Sequence, residues 1–253
     1  MSLILPTGLI APTEINPKNL IIFSKPKIGK TSLLATLDKC LLLDLEGGSN
    51  YVSAMKVQAN SFEEIKEIGK AIKEAGYPYK YVAVDTITAL EEMIVPYAEI
   101  LYSKSPMGKN WFKEEDGGKL KYGTILGLPD GAGYYWTRQA FTKVLDYILT
   151  WAPHVIFLGH VKDTLLEKAG ASFTATDLDL TGKLKRITIS NSDAIGYLYR
   201  KGKANYISFK SDSDIACGAR PDHLKNQEIM ISEITPEGEY KTYWDKIFLN
   251  INK

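Results

Sequence analysis

The chain has little of what builds disulfide frameworks and common metal centres. It holds two cysteines, Cys40 and Cys217, in 253 residues. Neither belongs to a CxxC pair, so the expectation is buried, reduced thiols in a cytoplasmic compartment. The three histidines, His154, His160 and His223, have no zinc-type spacing, which argues against a protein-held metal and leaves Mg²⁺ carried by a nucleotide. No apolar run reaches the roughly 18 residues of a membrane span. Met1–Pro6 lacks the basic start and long apolar core of a secretory signal. Arginine is scarce, with only Arg138, Arg186, Arg200 and Arg220. The net charge of +1 argues neither for nor against nucleic acid, while 45% apolar and 24% charged residues fit a globular protein.

What is present begins at residue 19. The apolar run Asn19–Phe23 leads into Ser24-Lys25-Pro26-Lys27-Ile28-Gly29-Lys30-Thr31, and a helix-like stretch opens at Ser32. This is a phosphate-binding P-loop with Ser24 where the first glycine is expected. A strand feeds a tight loop, and the loop feeds a helix whose free N–H groups face an anion. Gly29 allows close approach of the backbone, Lys30 would reach the β- and γ-phosphates of ATP, and Thr31 would ligate Mg²⁺.

Apolar runs then alternate with helical patterns, the mark of a mainly parallel sheet covered by helices in an α/β fold. Strands are expected at Leu20–Phe23, Cys40–Leu45, Tyr81–Val84 and Val155–Leu158, each continuously apolar as a doubly covered strand should be. Helices are expected near Thr31–Asp38, Ser61–Ala75, Thr86–Tyr102 and Tyr134–Trp151. Ser61 and Glu64 form a capping box for the second. Residues 103–133 interrupt the rhythm and read as a long surface loop. Beyond residue 160 the pattern turns to β-hairpins, with turns at Lys201-Gly202-Lys203 and Pro236-Glu237-Gly238. Residues 1–18 read as an N-terminal arm, 19–220 as the core, and 221–253 as a C-terminal extension of one domain.

The apolar strand ending at Asp85 is a Walker B pattern, and its carboxylate would hold Mg²⁺ opposite Thr31. No glutamate follows it. Hydrolysis needs a carboxylate to polarise water, and the candidate is Glu46, at the end of the second strand before Gly47-Gly48. Asp44 competes, since alternation turns both toward one face.

These residues resemble those of RecA-type P-loop ATPases, and most closely the short phage RecA-like proteins grouped with recombinases and single-strand-annealing proteins. The resemblance spans roughly residues 18–220. It rests on the P-loop, on Asp44-Leu-Glu46-Gly-Gly, on Val84-Asp85-Thr-Ile-Thr-Ala-Leu90, and on the strand ending Gly159-His160-Val-Lys162. The resemblance implies a catalytic glutamate at Glu46, a γ-phosphate sensor at His160, and ATP with Mg²⁺ as ligands. It also implies a ring or filament of identical subunits, in which a basic residue from the neighbour completes the site. Arg220 matches that finger position, with Lys210 as a second candidate. A DNA-binding loop is implied at about Asp163–Lys185, where Lys183, Lys185 and Arg186 would meet phosphates and Phe173 would stack on a base. A second candidate surface is the 103–136 region, with Lys104, Lys109, Lys113, Lys119 and Lys121 beside Trp111, Phe112, Tyr122, Tyr134 and Tyr135.

The expected activity is ATP hydrolysis stimulated by single-stranded DNA, in phage recombination, annealing or replication. The other reading is a nucleotide-switched binding module, such as a helicase loader or packaging accessory protein. A small-molecule kinase would need an arginine-rich lid, and a GTPase an Asn-Lys-x-Asp motif; the sequence has neither.

Overall fold

The computed structural model describes residue 5 and residues 7–110, 124–168, 171–211 and 215–250. The four predicted core strands form as β1 (Asn19–Ser24), β2 (Cys40–Asp44), β4 (Tyr81–Asp85) and the first part of β5 (His154–Lys168). A three-residue strand, β3 (Lys56–Gln58), extends the edge beside β2. Being short and polar, β3 carries no apolar signal that a sequence reading could detect. β7 (Ala194–Lys201) lies on the other side of β1, so the order β7-β1-β5-β4-β2-β3 is parallel throughout. Beyond β7 the sheet becomes antiparallel through β8 (Ala204–Ser208), β10 (Glu228–Ile234) and β11 (Tyr240–Thr242), which are the expected hairpins. The short β9 (Gly218–Ala219) pairs with the start of β7. The α/β class with a mainly parallel sheet therefore holds.

Each central strand sends alternate residues to opposite faces. Ile21, Phe23, Leu43, Val84 and Phe157 pack on one face under the helices α2 (Phe62–Glu74), α3 (Ile87–Met93), α4 (Val95–Ser103), α5 (Ala132–Ile148) and α6 (Gly182–Asn191). Leu20, Ile22, Leu42, Ala83 and Leu158 face the other way, where α1 (Lys30–Leu34) and the C-terminal Trp244, Ile247 and Phe248 cover them. Trp244 locks this cover by donating its indole N–H to Leu33 O at 3.2 Å and Thr36 Oγ1 at 3.1 Å. Both cysteines are buried free thiols, and burial pushes each up to about 12.

Three expected elements differ. The first helix is α-helical only to Leu34 and continues to Leu37 as tighter i→i+3 turns, with Thr36 donating its hydroxyl to Leu33 O. The single helix expected over Thr86–Tyr102 is two, broken at Ile94, because Pro96 has no N–H to continue α3 and starts α4 instead. Where the resemblance implies a DNA-binding loop at about Asp163–Lys185, β5 runs on beyond the sheet and pairs antiparallel with β6 (Ala171–Leu178). This is a hairpin of the kind expected beyond residue 160, and α6 follows; residues 169–170 lie outside the described residues. Within 103–133, Ile125 and Leu128 are buried in the core, so this stretch is not wholly surface; residues 111–123 lie outside the described residues.

Candidate functional site

Ser24, Asp44 and Asp85 end β1, β2 and β4, and His160 lies where β5 leaves the parallel sheet, paired with Ser24 of β1. Ligands of parallel α/β sheets bind at these ends. The loop leaving β1 places Lys27 at φ 61° and Gly29 at φ 98°, left-handed backbone that turns the chain tightly into α1. A Cβ on Gly29 would meet only Arg200 Nη2, at 4.0 Å. Lys25, Pro26, Lys27 and Ser32 are exposed and Ile28 is partly so, leaving the loop open to a phosphate chain.

Ser24 has no positive φ, so its backbone needs no glycine. Its hydroxyl donates to Lys25 O at 3.0 Å and accepts from Lys30 Nζ at 3.1 Å. Ser24 is thus the resting partner of the P-loop lysine. Burial lowers the Lys30 pKa, and the nearby carboxylates of Asp85 and Glu46 oppose that shift. Thr31 donates its hydroxyl to Asp85 Oδ2 at 2.6 Å. Burial raises the Asp85 pKa, against the Thr31 hydrogen bond and Lys30, and Glu46 and Asp44 add to the rise. A hydroxyl and a buried carboxylate side by side are hard oxygen donors that suit Mg²⁺.

The two candidate acids at the end of β2 have different surroundings. Asp44 is 2% exposed and accepts N–H bonds from Glu46, Gly47 and Ser49 at 2.8–3.1 Å. Burial would raise its pKa, but the Ser49 hydroxyl and N–H, the Glu46 N–H and Gln58 outweigh that and hold it below the ordinary carboxylate value. Asp44 therefore organises the Gly47-Gly48 turn, and its oxygens are taken. Glu46 stands beyond it, half-exposed. Its Oε1 accepts from Thr86 Oγ1 at 2.5 Å and lies 2.9 Å from His160 Nε2. Its Oε2 has no hydrogen-bond partner among the described residues. Thr86, fully buried, caps α3 by accepting from Ala89 N. Thr88 accepts from His160 N and donates to Asp179 O.

Sequence reasoning missed Thr86 and Thr88. A threonine directly after the strand-end aspartate was the available signal for the first, as an N-cap. It also missed Arg200, whose Nη2 donates to the P-loop carbonyl of Ile28 at 3.0 Å.

The expected partner-contacting residues are scattered. Arg220 lies at the opposite end of the sheet, bonded to Asp193 Oδ1 at 3.3 Å and Ser190 O at 2.6 Å. Asp193 also accepts from the backbone N–H groups of Lys18 and Asn19 at the start of β1, so Arg220 does not serve its own P-loop. Lys210 pairs with Glu228 at 3.5 Å. Lys183, Lys185 and Arg186 all lie on α6, where Lys185 is paired with Asp177. Lys183 lines a cleft of about 430 Å³ with Glu91, Asp130, Tyr134 and Arg138. Thus one basic residue of the first DNA-contacting set and one ring of the second meet there. Trp111, Phe112, Lys113, Lys119, Lys121, Tyr122 and the Phe173 side chain lie outside the described residues. Among the described residues no helix is long and apolar enough to cross a membrane.

No curated protein matches the chain. Among solved structures, it is similar to the RadB recombinase, at TM-score 0.45 and 12% identity over 90% of this chain and 92% of that one. It is also similar to a KaiC-like protein from the archaeon Pyrococcus horikoshii OT3, at TM-score 0.43 and 11% identity over 90% of each chain. A family model described as an AAA domain matches residues 16–221. By that match, which covers most of its length, the chain belongs to the AAA domain family.

Proposed function

We propose that the protein is a RecA-like ATPase that assembles as a homo-oligomer on single-stranded DNA. The setting is the phage recombination, annealing or replication that its sequence resemblance implies. One observation carries this reading: Lys30, Glu46, Asp85 and His160 converge where four adjacent strands end their parallel pairing, around an open P-loop.

In this reading the loop amides and Lys30 hold the β- and γ-phosphates of ATP, with Lys30 leaving Ser24 for the phosphate oxygens. Thr31 and Asp85 would hold Mg²⁺, which would supply charge neutralisation at the phosphates. Glu46 acts as the base. Thr86 and His160 fix its Oε1, leaving Oε2 to accept a proton from the attacking water. In this reading His160, bonded to Glu46 through Nε2 and to Thr88 through its backbone N–H, registers the γ-phosphate and passes its presence to Asp179, beyond β6. Arg220, remote from its own P-loop, would act as a finger only across a subunit boundary.

Support for a DNA partner comes from the cleft near Lys183. Arg138 and Lys183 supply phosphate-binding charge, and the half-exposed ring of Tyr134 supplies stacking surface. Phosphate release, measured with and without single-stranded DNA, tests the proposal, together with sizing in the presence of an ATP analogue. Turnover should rise with DNA, and nucleotide-dependent assembly should appear on the strand. A DNA-indifferent monomer would overturn it in favour of a nucleotide-switched binding module.

A further inference from the structure

One arginine bonds the P-loop backbone from the side of β1 opposite Asp85 and Glu46. Arg200, near the end of β7, donates through Nη2 to Ile28 O at 3.0 Å and through Nε to Asn205 Oδ1 at 3.1 Å. Asn205 is its cross-strand partner on β8 and is 6% exposed. Asn205 Nδ2 in turn donates to Ser232 Oγ at 3.0 Å, and Ser232 is fully buried on β10. A register shift in β10 between Met230 and Ser232 sets Ser232 opposite Asn205. A polar relay thus runs across three antiparallel strands and ends on the phosphate loop. Its last member, Ser232, lies beyond the 16–221 segment that matches the family.

Ile28 O and the Gly29 N–H belong to one planar trans peptide, so they point in opposite directions. A guanidinium that grips the carbonyl on the outer side therefore aims the amide into the loop, where the phosphates bind. Ile28 lies between two left-handed residues, Lys27 and Gly29, so the backbone on either side of it is in a sparsely populated conformation that gains from being held. We propose that Arg200 is a positioning residue for nucleotide binding: held by Asn205 and Ser232, it pre-orients the Gly29 amide toward a nucleoside triphosphate. The inference rests on the P-loop reading above and adds a device supplied by the C-terminal hairpins. Arginine is required because one planar fork makes both bonds, which a lysine ammonium on a flexible stem does not reproduce.

Arg200→Lys, which keeps the charge and most of the stem, is the direct test, with Asn205→Ala as the remote one. Steady-state ATP hydrolysis and titration with a fluorescent ATP analogue would be run beside urea unfolding. Losing one charge-assisted hydrogen bond predicts about a tenfold rise in KM and analogue Kd for Arg200→Lys, with kcat within about twofold. Asn205→Ala should shift KM the same way by about threefold. It carries the test alone if Arg200→Lys fails to fold. An unchanged KM in the folded variants, or a fall in kcat at unchanged KM, would overturn the proposal. Lys30→Ala separates the two layers. If it loses the analogue while Arg200→Lys binds normally, only the Arg200 inference fails; if it binds normally, the P-loop reading fails as well.

Discussion

The two sides of β1 are built for different tasks. Toward β5, β4 and β2 the strands are parallel, and their ends bring three acids and a histidine close to the P-loop. On the other side β7 is still parallel to β1, but beyond it the strands turn antiparallel through β8 and β10. Arg200, near the end of β7, bonds the loop, anchored by neutral buried groups. Parallel strands end at one edge, so several side chains from distant parts of the chain can converge there. Antiparallel hairpins alternate direction and do not gather strand ends, but their cross-strand pairs transmit a fixed position sideways. The first side is suited to chemistry and the second to holding the loop.

If that division is right, substitutions on the two sides should separate rate from stability and affinity. The largest effect is expected where the sides meet. Lys30→Ala should lower kcat/KM by about 10³-fold or more, since the lysine is the buried positive charge facing the phosphates. Phosphate release and analogue binding check this, and near-normal turnover would break the comparison at its centre. On the holding side, Trp244→Ala removes the ring that covers Leu33 and its two hydrogen bonds. It should cost about 3–5 kcal/mol of stability, as large aromatic truncations in cores do. Urea unfolding measures the loss, while kcat of the folded protein should hold. A loss of kcat with unchanged stability would show that the C-terminal cover takes part in chemistry.

The smallest effect belongs to Asp44, a structural acid on the catalytic side. Its pKa lies below the ordinary 3.8 in the folded protein, so the folded state binds fewer protons than the unfolded state. Its stabilisation is complete above that ordinary value and is lost as pH falls through the folded value. The wild type should therefore lose stability on acidification below about pH 3.8, and Asp44→Asn should lose less over that window. Urea midpoints at a series of acidic pH values read the difference. Equal slopes in the two proteins would remove Asp44 from its structural role.

Much of the catalytic side was legible in the sequence, because strands buried on both faces read as continuous apolar runs. Leu20–Phe23, Cys40–Leu45, Tyr81–Val84 and Val155–Leu158 were visible for that reason, and the chemistry-bearing letters sit at their ends. Only its place at the strand edge favours Glu46 over Asp44 in the sequence, and the reason the two differ was not legible. It depends on where backbone amides point after the turn, and alternation alone sends both side chains the same way. The break at Pro96 was written in the sequence, but the apolar pattern running across it concealed the boundary. Arg200 was invisible for a different reason: its bond to Ile28 spans 172 residues, and no local pattern distinguishes a loop-gripping arginine from a hairpin arginine in solvent. The antiparallel half as a whole reads less clearly, because its strands are short and half-polar.

The claim that Glu46 is the base and Asp44 the scaffold is tested most directly by single-turnover ATP hydrolysis in Glu46→Gln, with analogue binding measured on the same preparation. The prediction is a fall of about 10²–10³-fold in the hydrolytic step, within the range expected for general base catalysis, with affinity and unfolding midpoint unchanged. Hydrolysis at the wild-type rate in a folded, nucleotide-binding Glu46→Gln protein would contradict the account.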